Sequence, residues 1–374
     1  MIAKHFNTAG PCNPDWHYML PPEERLVGVA ALIDQASYFV VHAPRQCGKT
    51  TSFRALAQRL TASGRYTALW VTCEVAQAAG EDIDSAVAAV IQAIHNMGRY
   101  LPAELQPPDQ IEFADVGDLS RLEVYLAAWV ERSPRPVVLF LDEIDALFGA
   151  SLISVLRQLR SGYPNRPQHF PHSVALIGLR DVRDYRLEGS PESARLGTSS
   201  PFNIKVESIT LRNFTAAELA TLCRQHQDAT GQVFAPEALG RIFELTQGQP
   251  WLVNALARQL VEKEVPDPAV AITAAHVDLA KERLILRRDT HLDSLTERLR
   301  EPRLRRVIEP VLAGNLFGID VSSEDLEYAI DLGLLRREEG NLVVANPIYR
   351  EVIPRALALV LEASIGKKLE VVTL

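Results

Sequence analysis

The sequence predicts an α/β core built on a five-stranded parallel sheet, then a helical lid subdomain and a C-terminal winged-helix domain. Three observations predict it. Five short β-rich runs, Tyr38–His42, Thr67–Cys73, Pro136–Leu141, Ser173–Leu179 and Asn203–Ile209, alternate with helical patterns, the order of a parallel sheet covered on both faces. The β signal then fades, and helical runs follow at Thr215–Thr230, Pro236–Thr246 and Pro250–Lys263. Finally, Leu299–Leu374 reads as helix, helix and hairpin.

Each element has a local reason. After the first strand, Phe53, Leu56, Ala57 and Leu60 recur at helical spacing and Gly64 stands at the C-cap, so the order is strand, loop, helix. Glu81–Met97 and Asp118–Glu131 read as amphipathic helices, the second marked by Leu119, Leu122, Leu126 and Trp129, with the Pro-rich connector Leu101–Gln110 between them. Val265–Pro268 ends the lid, and Thr273 caps a connector helix carrying Val277, Ala280 and Leu284 and extending through Leu292. Beyond it, helices are expected at Arg303–Ala313 and Ser323–Leu332 and strands at Leu334–Arg337 and Leu342–Ala345, joined at Glu339-Gly340-Asn341. The expected divisions are 1–210 for the core, 211–268 for the lid, 269–298 for the connector and 299–374 for the winged helix.

Composition narrows the class. With 374 residues there is room for two or three compact units, and 47% hydrophobic with 23% charged residues excludes disorder, collagen and coiled coil. A net charge of −8 excludes coating nucleic acid through bulk charge, although residues 281–306 hold nine basic against five acidic residues, a local net of +4. Cys12, Cys47, Cys73 and Cys223 are far apart with no paired spacing, which reads as reduced thiols and not as zinc. The N-terminal residues lack a signal pattern and no window is apolar enough for a span, so a soluble, cytoplasmic protein without a membrane partner is expected.

Two motifs carry chemistry. Ala43-Pro44-Arg45-Gln46-Cys47-Gly48-Lys49-Thr50-Thr51 fits a phosphate-binding loop with Ala at the first Gly position. Backbone N–H groups would wrap the β- and γ-phosphates, Gly48 allows close approach, Lys49 supplies a point charge, Thr50 a Mg²⁺ ligand, and the following helix its dipole. Cys47 inside this loop raises the idea of an oxidisable thiol, against a plain loop position that holds many side chains. Val137-Val138-Leu139-Phe140-Leu141-Asp142-Glu143 is a buried strand ending in two carboxylates, Asp142 for the Mg²⁺ shell and Glu143 to polarise the attacking water. Asp145 reads as a helix cap.

Weaker signals surround these. Arg180 follows the fourth strand, where a cation can sense the γ-phosphate; the alternative is a surface pair with Asp181 or Asp184. Arg195 could reach a neighbouring subunit's phosphate or be a solvated loop residue. In Thr246-Gln247-Gly248-Gln249-Pro250-Trp251, Gly ends one helix and Pro starts the next, and Pro250 could also close over the adenine. Trp16-His17-Tyr18 and Pro21–Arg25 could line the base pocket or pack a core. His291 reads as a solvated helical residue.

Together these residues resemble the additional-strand P-loop ATPases, the AAA+ and signal-transduction ATPase (STAND) branch, and within it bacterial AAA-like ATP-binding proteins with a lid and C-terminal winged helix. The resemblance covers about residues 5–355 and rests most specifically on Ala43–Thr51, Leu139–Glu143 and Thr246–Leu252. It implies a P-loop NTPase core with ATP or ADP and Mg²⁺ as cofactors, Lys49 and Thr50 on phosphate and metal, Asp142 on metal, Glu143 as water activator, Arg180 as first sensor, and nucleotide between core and lid. The place of the usual second-sensor Arg reads Pro250-Trp251-Leu252-Val253, and the first Arg comes only at Arg258. That form resembles the signal-transduction branch, whose members are slow switches.

The leading expectation is therefore a slowly hydrolysing ATPase acting as a nucleotide switch, with a homo-oligomer or a protein partner open. A DNA-binding ATPase of initiator or transposition type is the alternative. It is disfavoured because Ser323–Leu332 carries Glu324, Asp325, Glu327 and Asp331 without a Lys or Arg. A non-catalytic nucleotide-binding scaffold is the third possibility.

Overall fold

The computed structural model describes residues 3–21, 24–180, 204–287, 297–314 and 321–358. Contacts divide the chain into two units, one formed by Pro21–Ala43 and Gly48–Leu211, the other by Met1–Leu20, Pro44–Cys47 and Arg212–Leu374.

The α/β unit contains α1 (Val29–Asp34), β1 (Tyr38–His42), α2 (Lys49–Ala62), β2 (Thr67–Thr72), α3 (Ile83–Gly98), α4 (Arg121–Arg132), β3 (Val137–Asp142), α5 (Gly149–Gly162), β4 (Ser173–Gly178) and β5 (Lys205–Thr210). The five strands form one sheet in the order β2-β3-β4-β1-β5, and every pairing is parallel. All six residues of β3 and of β4 are buried, as strands covered on both faces require. Helix α3 starts at Asp82, whose side chain accepts from Asp84 N, and buries Val87, Val90, Ile91 and Ile94. Helix α4 buries Leu122, Tyr125, Leu126 and Trp129, but Leu119, expected on that face, precedes the helix and is 69% exposed.

Helix α5 is not among the elements expected from the sequence. Buried Ser151, Ser154 and Gln158 interrupt its apolar spacing. Each finds a partner: Ser151 Oγ donates to Gly80 O (2.9 Å), and Gln158 Nε2 donates to Ser154 Oγ (3.1 Å) while its Oε1 accepts from Leu122 N (2.8 Å) at the start of α4.

The other unit contains α6 (Ala216–Thr230), α7 (Pro236–Thr246), α8 (Pro250–Gln259), α9 (Ala274–Arg287), α10 (Pro302–Leu312), α11 (Ser323–Asp331), the antiparallel hairpin β6 (Leu335–Glu338) and β7 (Asn341–Val344), and a further helix α12 over 347–358. The helix expected to run to Lys263 stops at Gln259 and continues as a π-helical turn, Leu260–Glu264. Helix α6 begins with a reciprocal capping box between Thr215 and Glu218. Phe6 and Tyr18 from the N-terminal segment join the core of this unit, where Tyr18 Oη meets His226 Nδ1 at 3.2 Å. Of Trp16, His17 and Tyr18, His17 and Tyr18 are buried and Tyr18 packs in this core, whereas Trp16 is 48% exposed. Among the described residues, no helix is long and apolar enough to cross a membrane.

Candidate functional site

The phosphate loop starts at the carboxyl end of β1. Ala43 N donates to Gly178 O (3.3 Å), tying the start of the loop to the end of β4, and His42 pairs in register with Gly178. The backbone is left-handed at Gln46 (φ 59°) and again at Gly48 (φ 85°), the N-cap of α2. Gly48 has a second constraint: a Cβ there would stand 3.0 Å from Arg25 Nη1. Arg45 and Gln46 are exposed, Pro44 and Thr51 partly buried, and Cys47 is 2% exposed, which shields its thiol from solution oxidants.

Lys49 is the first residue of α2 and is buried, and its ammonium donates to Ala43 O at 2.7 Å, across the mouth of the loop. Thr50, next along, donates its hydroxyl to Asp142 Oδ2 at 2.6 Å. That bond joins the helix after the loop to the end of β3.

Asp142 is fully buried and surrounded by donors. Its Oδ2 accepts from Thr50 and also from Trp70 Nε1 (3.0 Å), and its Oδ1 from Glu143 N (3.0 Å). Burial nevertheless pushes its carboxyl above the usual range, against the Thr50 hydrogen bond, the Lys49 charge and the Trp70 hydrogen bond. A divalent cation would reverse that balance in favour of the carboxylate. Hard oxygen donors side by side, one hydroxyl and one carboxylate, fit Mg²⁺, which takes one or two protein oxygens and completes its shell with water and phosphate. Among the described residues, no group of three or more His, Cys, Asp or Glu able to hold an ion occurs.

Glu143, partly exposed, has φ 53°, a left-handed conformation that an ordinary L-residue adopts at a cost of about 1 kcal/mol or more. The chain therefore turns sharply at the strand end. Asp145 does not cap a helix: it lies in the 3₁₀ turn Ile144–Ala146, and its Oδ1 accepts from Leu179 N at 3.2 Å. This ties the residue before Arg180, and Arg180 itself is buried at the same carboxyl end of the sheet as the loop and Asp142. Asp181, Asp184, Arg195 and His291 lie outside the described residues.

In the other unit, the turn before α8 has a packing explanation. Gln247 and Gly248 are both left-handed, and a Cβ on Gly248 would lie 1.9 Å from Phe214 O, so only glycine fits. Gln249 Oε1 then accepts from Leu252 N (2.6 Å), and buried Pro250 occupies the first position of α8. Arg258 is tied to Glu262 (3.0 Å) and to Thr8 Oγ1 (3.0 Å).

The structure thus brings together Ala43, Lys49, Thr50, Asp142 and, through the sheet, Arg180. Sequence reasoning missed Trp70, Arg25 and the tie made by Asp145. For Trp70 the sequence signal reached only its alternation within β2; the pairing of β2 with β3 at Thr72↔Asp142 and Trp70↔Phe140 then puts it on the face of Asp142.

Comparison with solved structures bears on the fold. The chain is similar to the Walker-type ATPase of Pyrococcus abyssi, with a TM-score of 0.65 at 12% identity, over 93% of this chain and 99% of that one. It is also similar to the Aeropyrum pernix ORC2 protein, solved as ADPNP-ADP complexes, with a TM-score of 0.50 at 13% identity, over 93% and 97% of the two chains. At such identity the likeness establishes the fold alone. No curated protein matches the sequence. A family model described as an AAA-like domain matches residues 18–354, nearly the whole chain, and the protein belongs to that family.

Proposed function

We propose that this AAA-like protein binds ATP in the Ala43–Thr51 loop and hydrolyses it slowly with Mg²⁺, acting as a nucleotide switch. The observation that carries the proposal is the Thr50–Asp142 hydrogen bond of 2.6 Å beside the buried Lys49. Loop N–H groups and the Lys49 ammonium hold the phosphates, and Thr50 and Asp142 hold the metal ion. When bound, Mg²⁺ neutralises charge on the phosphate oxygens. Glu143 orients and polarises the attacking water, Arg180 meets the γ-phosphate, and Pro250 borders the base from the lid. Slow turnover fits the absence of an Arg at the start of α8 and the engagement of Arg258 with Glu262 and Thr8.

The second unit is proposed to comprise a lid (211–268), a connector (269–298) and a winged helix (299–374), the last on its helix, helix, hairpin order. A DNA-binding role gains no support from the basic stretch. Lys281 meets Glu351 (2.7 Å), Arg283 meets Glu264 (2.8 Å), and Arg306 lies 3.6 Å from Asp325, so carboxylates outside the stretch absorb much of its surplus.

The test is nucleotide retention and turnover. Purified protein is expected to bind ADP and ATP, Lys49→Ala to lose both, and Glu143→Gln to keep binding while hydrolysis falls by about 10²-fold or more. Affinity for nucleotide unaffected by Lys49→Ala would overturn the site. Turnover that survives Glu143→Gln removes that residue as water activator.

A further inference from the structure

We propose that the C-terminal hairpin region carries a second ligand site, for a small organic carboxylate with a short aliphatic body. A cavity of about 260 Å³ opens among β6, β7, the end of α10, the start of α12 and Gln247 at the lid turn. It is smaller than the roughly 300–1,000 Å³ of sites for drug-sized molecules, so its occupant has only a modest number of heavy atoms.

Two guanidinium groups, Arg336 and Arg350, line it together with the carboxylate of Glu338. Arg336 Nη2 contacts Glu338 Oε1 at 2.9 Å, yet its Nε is buried without a hydrogen-bond partner. That enclosed Nε does not reach the cavity, so the terminal guanidinium nitrogens of Arg336 and Arg350 are the donors available to a ligand oxygen. Arg350 is exposed and forms no ion pair among the described residues. Two positive charges against one negative leave a surplus of one, which a monoanionic carboxylate neutralises and a phosphate dianion exceeds. Leu312 and Leu342 offer apolar wall for an aliphatic body. None of the phosphate-loop residues, nor Asp142, lines this cavity, so the site is separate from the nucleotide site. Because Gln247 adjoins the Gly248–Pro250 turn, a bound ligand touches the lid as well as the hairpin.

The test titrates hexanoate, hexan-1-ol and inorganic phosphate into the full-length protein, read by saturation-transfer NMR and by thermal shift. Hexanoate is expected to bind saturably and raise the melting temperature, with no saturable binding of hexan-1-ol or phosphate. Arg350→Ala and Arg336→Gln are each expected to weaken hexanoate about tenfold. Lys49→Ala is expected to leave it unchanged. Arg350 is exposed, so its replacement reports on the site even where Arg336→Gln fails to fold. Absence of saturable hexanoate binding overturns the proposal, as does binding that Arg350→Ala leaves intact or that Lys49→Ala abolishes. Equal or preferential binding of phosphate overturns the carboxylate assignment, and equal binding of hexan-1-ol overturns the role of charge.

Discussion

Replacing Trp70 with Phe isolates the group that tunes the proposed metal carboxylate without touching the nucleotide. Trp70 Nε1 donates to Asp142 Oδ2 at 3.0 Å, and the Trp70 ring lies 5.4 Å from the Arg54 guanidinium. Phenylalanine keeps an aromatic face for Arg54 and removes the donor together with the pyrrole part of the indole. A hydrogen bond to a charged group is worth about 1.5–3 kcal/mol, and because Trp70 is partly exposed water recovers some of it, so the lower end applies. About 1.4 kcal/mol is one pKa unit and a factor of ten. Burial already holds the Asp142 carboxyl above its usual range, and Trp70 opposes that shift. Losing the donor moves the pKa further up. Metal binding needs the carboxylate form, so activity is present above this pKa and its acid limb moves to higher pH by about one unit. The assay is the pH–rate profile of Mg²⁺-dependent ATP hydrolysis, with ADP affinity in the absence of Mg²⁺ as the control expected to stay constant. An acid limb and Mg²⁺ dependence equal to those of the unsubstituted protein would refute the reasoning.

Three further outcomes are expected. Glu218 is nearly buried, and the hydrogen bond from Arg212 at 2.6 Å, reinforced by the capping box, holds its carboxyl below the usual range. A lowered folded pKa gives stability that is present above the unfolded value and lost as pH falls through the folded one. Glu218→Gln should therefore cost about 1–2 kcal/mol near neutral pH and almost nothing in acid, and equal costs at both pH values in denaturant titrations would refute the pairing. Gly248→Ala sets a methyl group 1.9 Å from Phe214 O at a left-handed position, so a loss of about 2–4 kcal/mol is expected, and a melting temperature like that of the parent would contradict it. Arg25→Ala removes the buried cation beside Gly48; ADP affinity is expected to fall about tenfold, and unchanged affinity by calorimetry would show that the guanidinium serves packing alone.

The sheet was legible wherever burial on both faces makes a strand continuously apolar. Tyr38–His42 appears as β1 with the bounds its composition implies, and the other four strands shift by only one or two residues at an end. Helix α5 was illegible for the opposite reason. Its buried Ser151 and Gln158 look like surface residues until their partners, Gly80 O and Leu122 N, are brought alongside by folding. Leu119 misled in the same way, because helical spacing cannot tell an apolar residue inside the first turn from one standing just before it.

The candidate site divides along the same line. Ala43, Lys49 and Thr50 lie within one turn of chain, and Asp142 ends an apolar run, so motif and periodicity find them without knowledge of the fold. Trp70, Asp145 and Arg25 act on groups elsewhere in the chain: a carboxylate one strand over, an amide beyond the next strand, and a glycine across the loop. Alternation within β2 says that Trp70 faces one side of the sheet, and only the pairing of Thr72 with Asp142 says whose side chain it meets there. Residues that would touch the nucleotide are therefore legible from local pattern, whereas those that set its chemistry depend on register. Trp70→Phe tests that second class most directly, since it removes a donor that favours the Asp142 carboxylate while leaving the loop and its lysine in place.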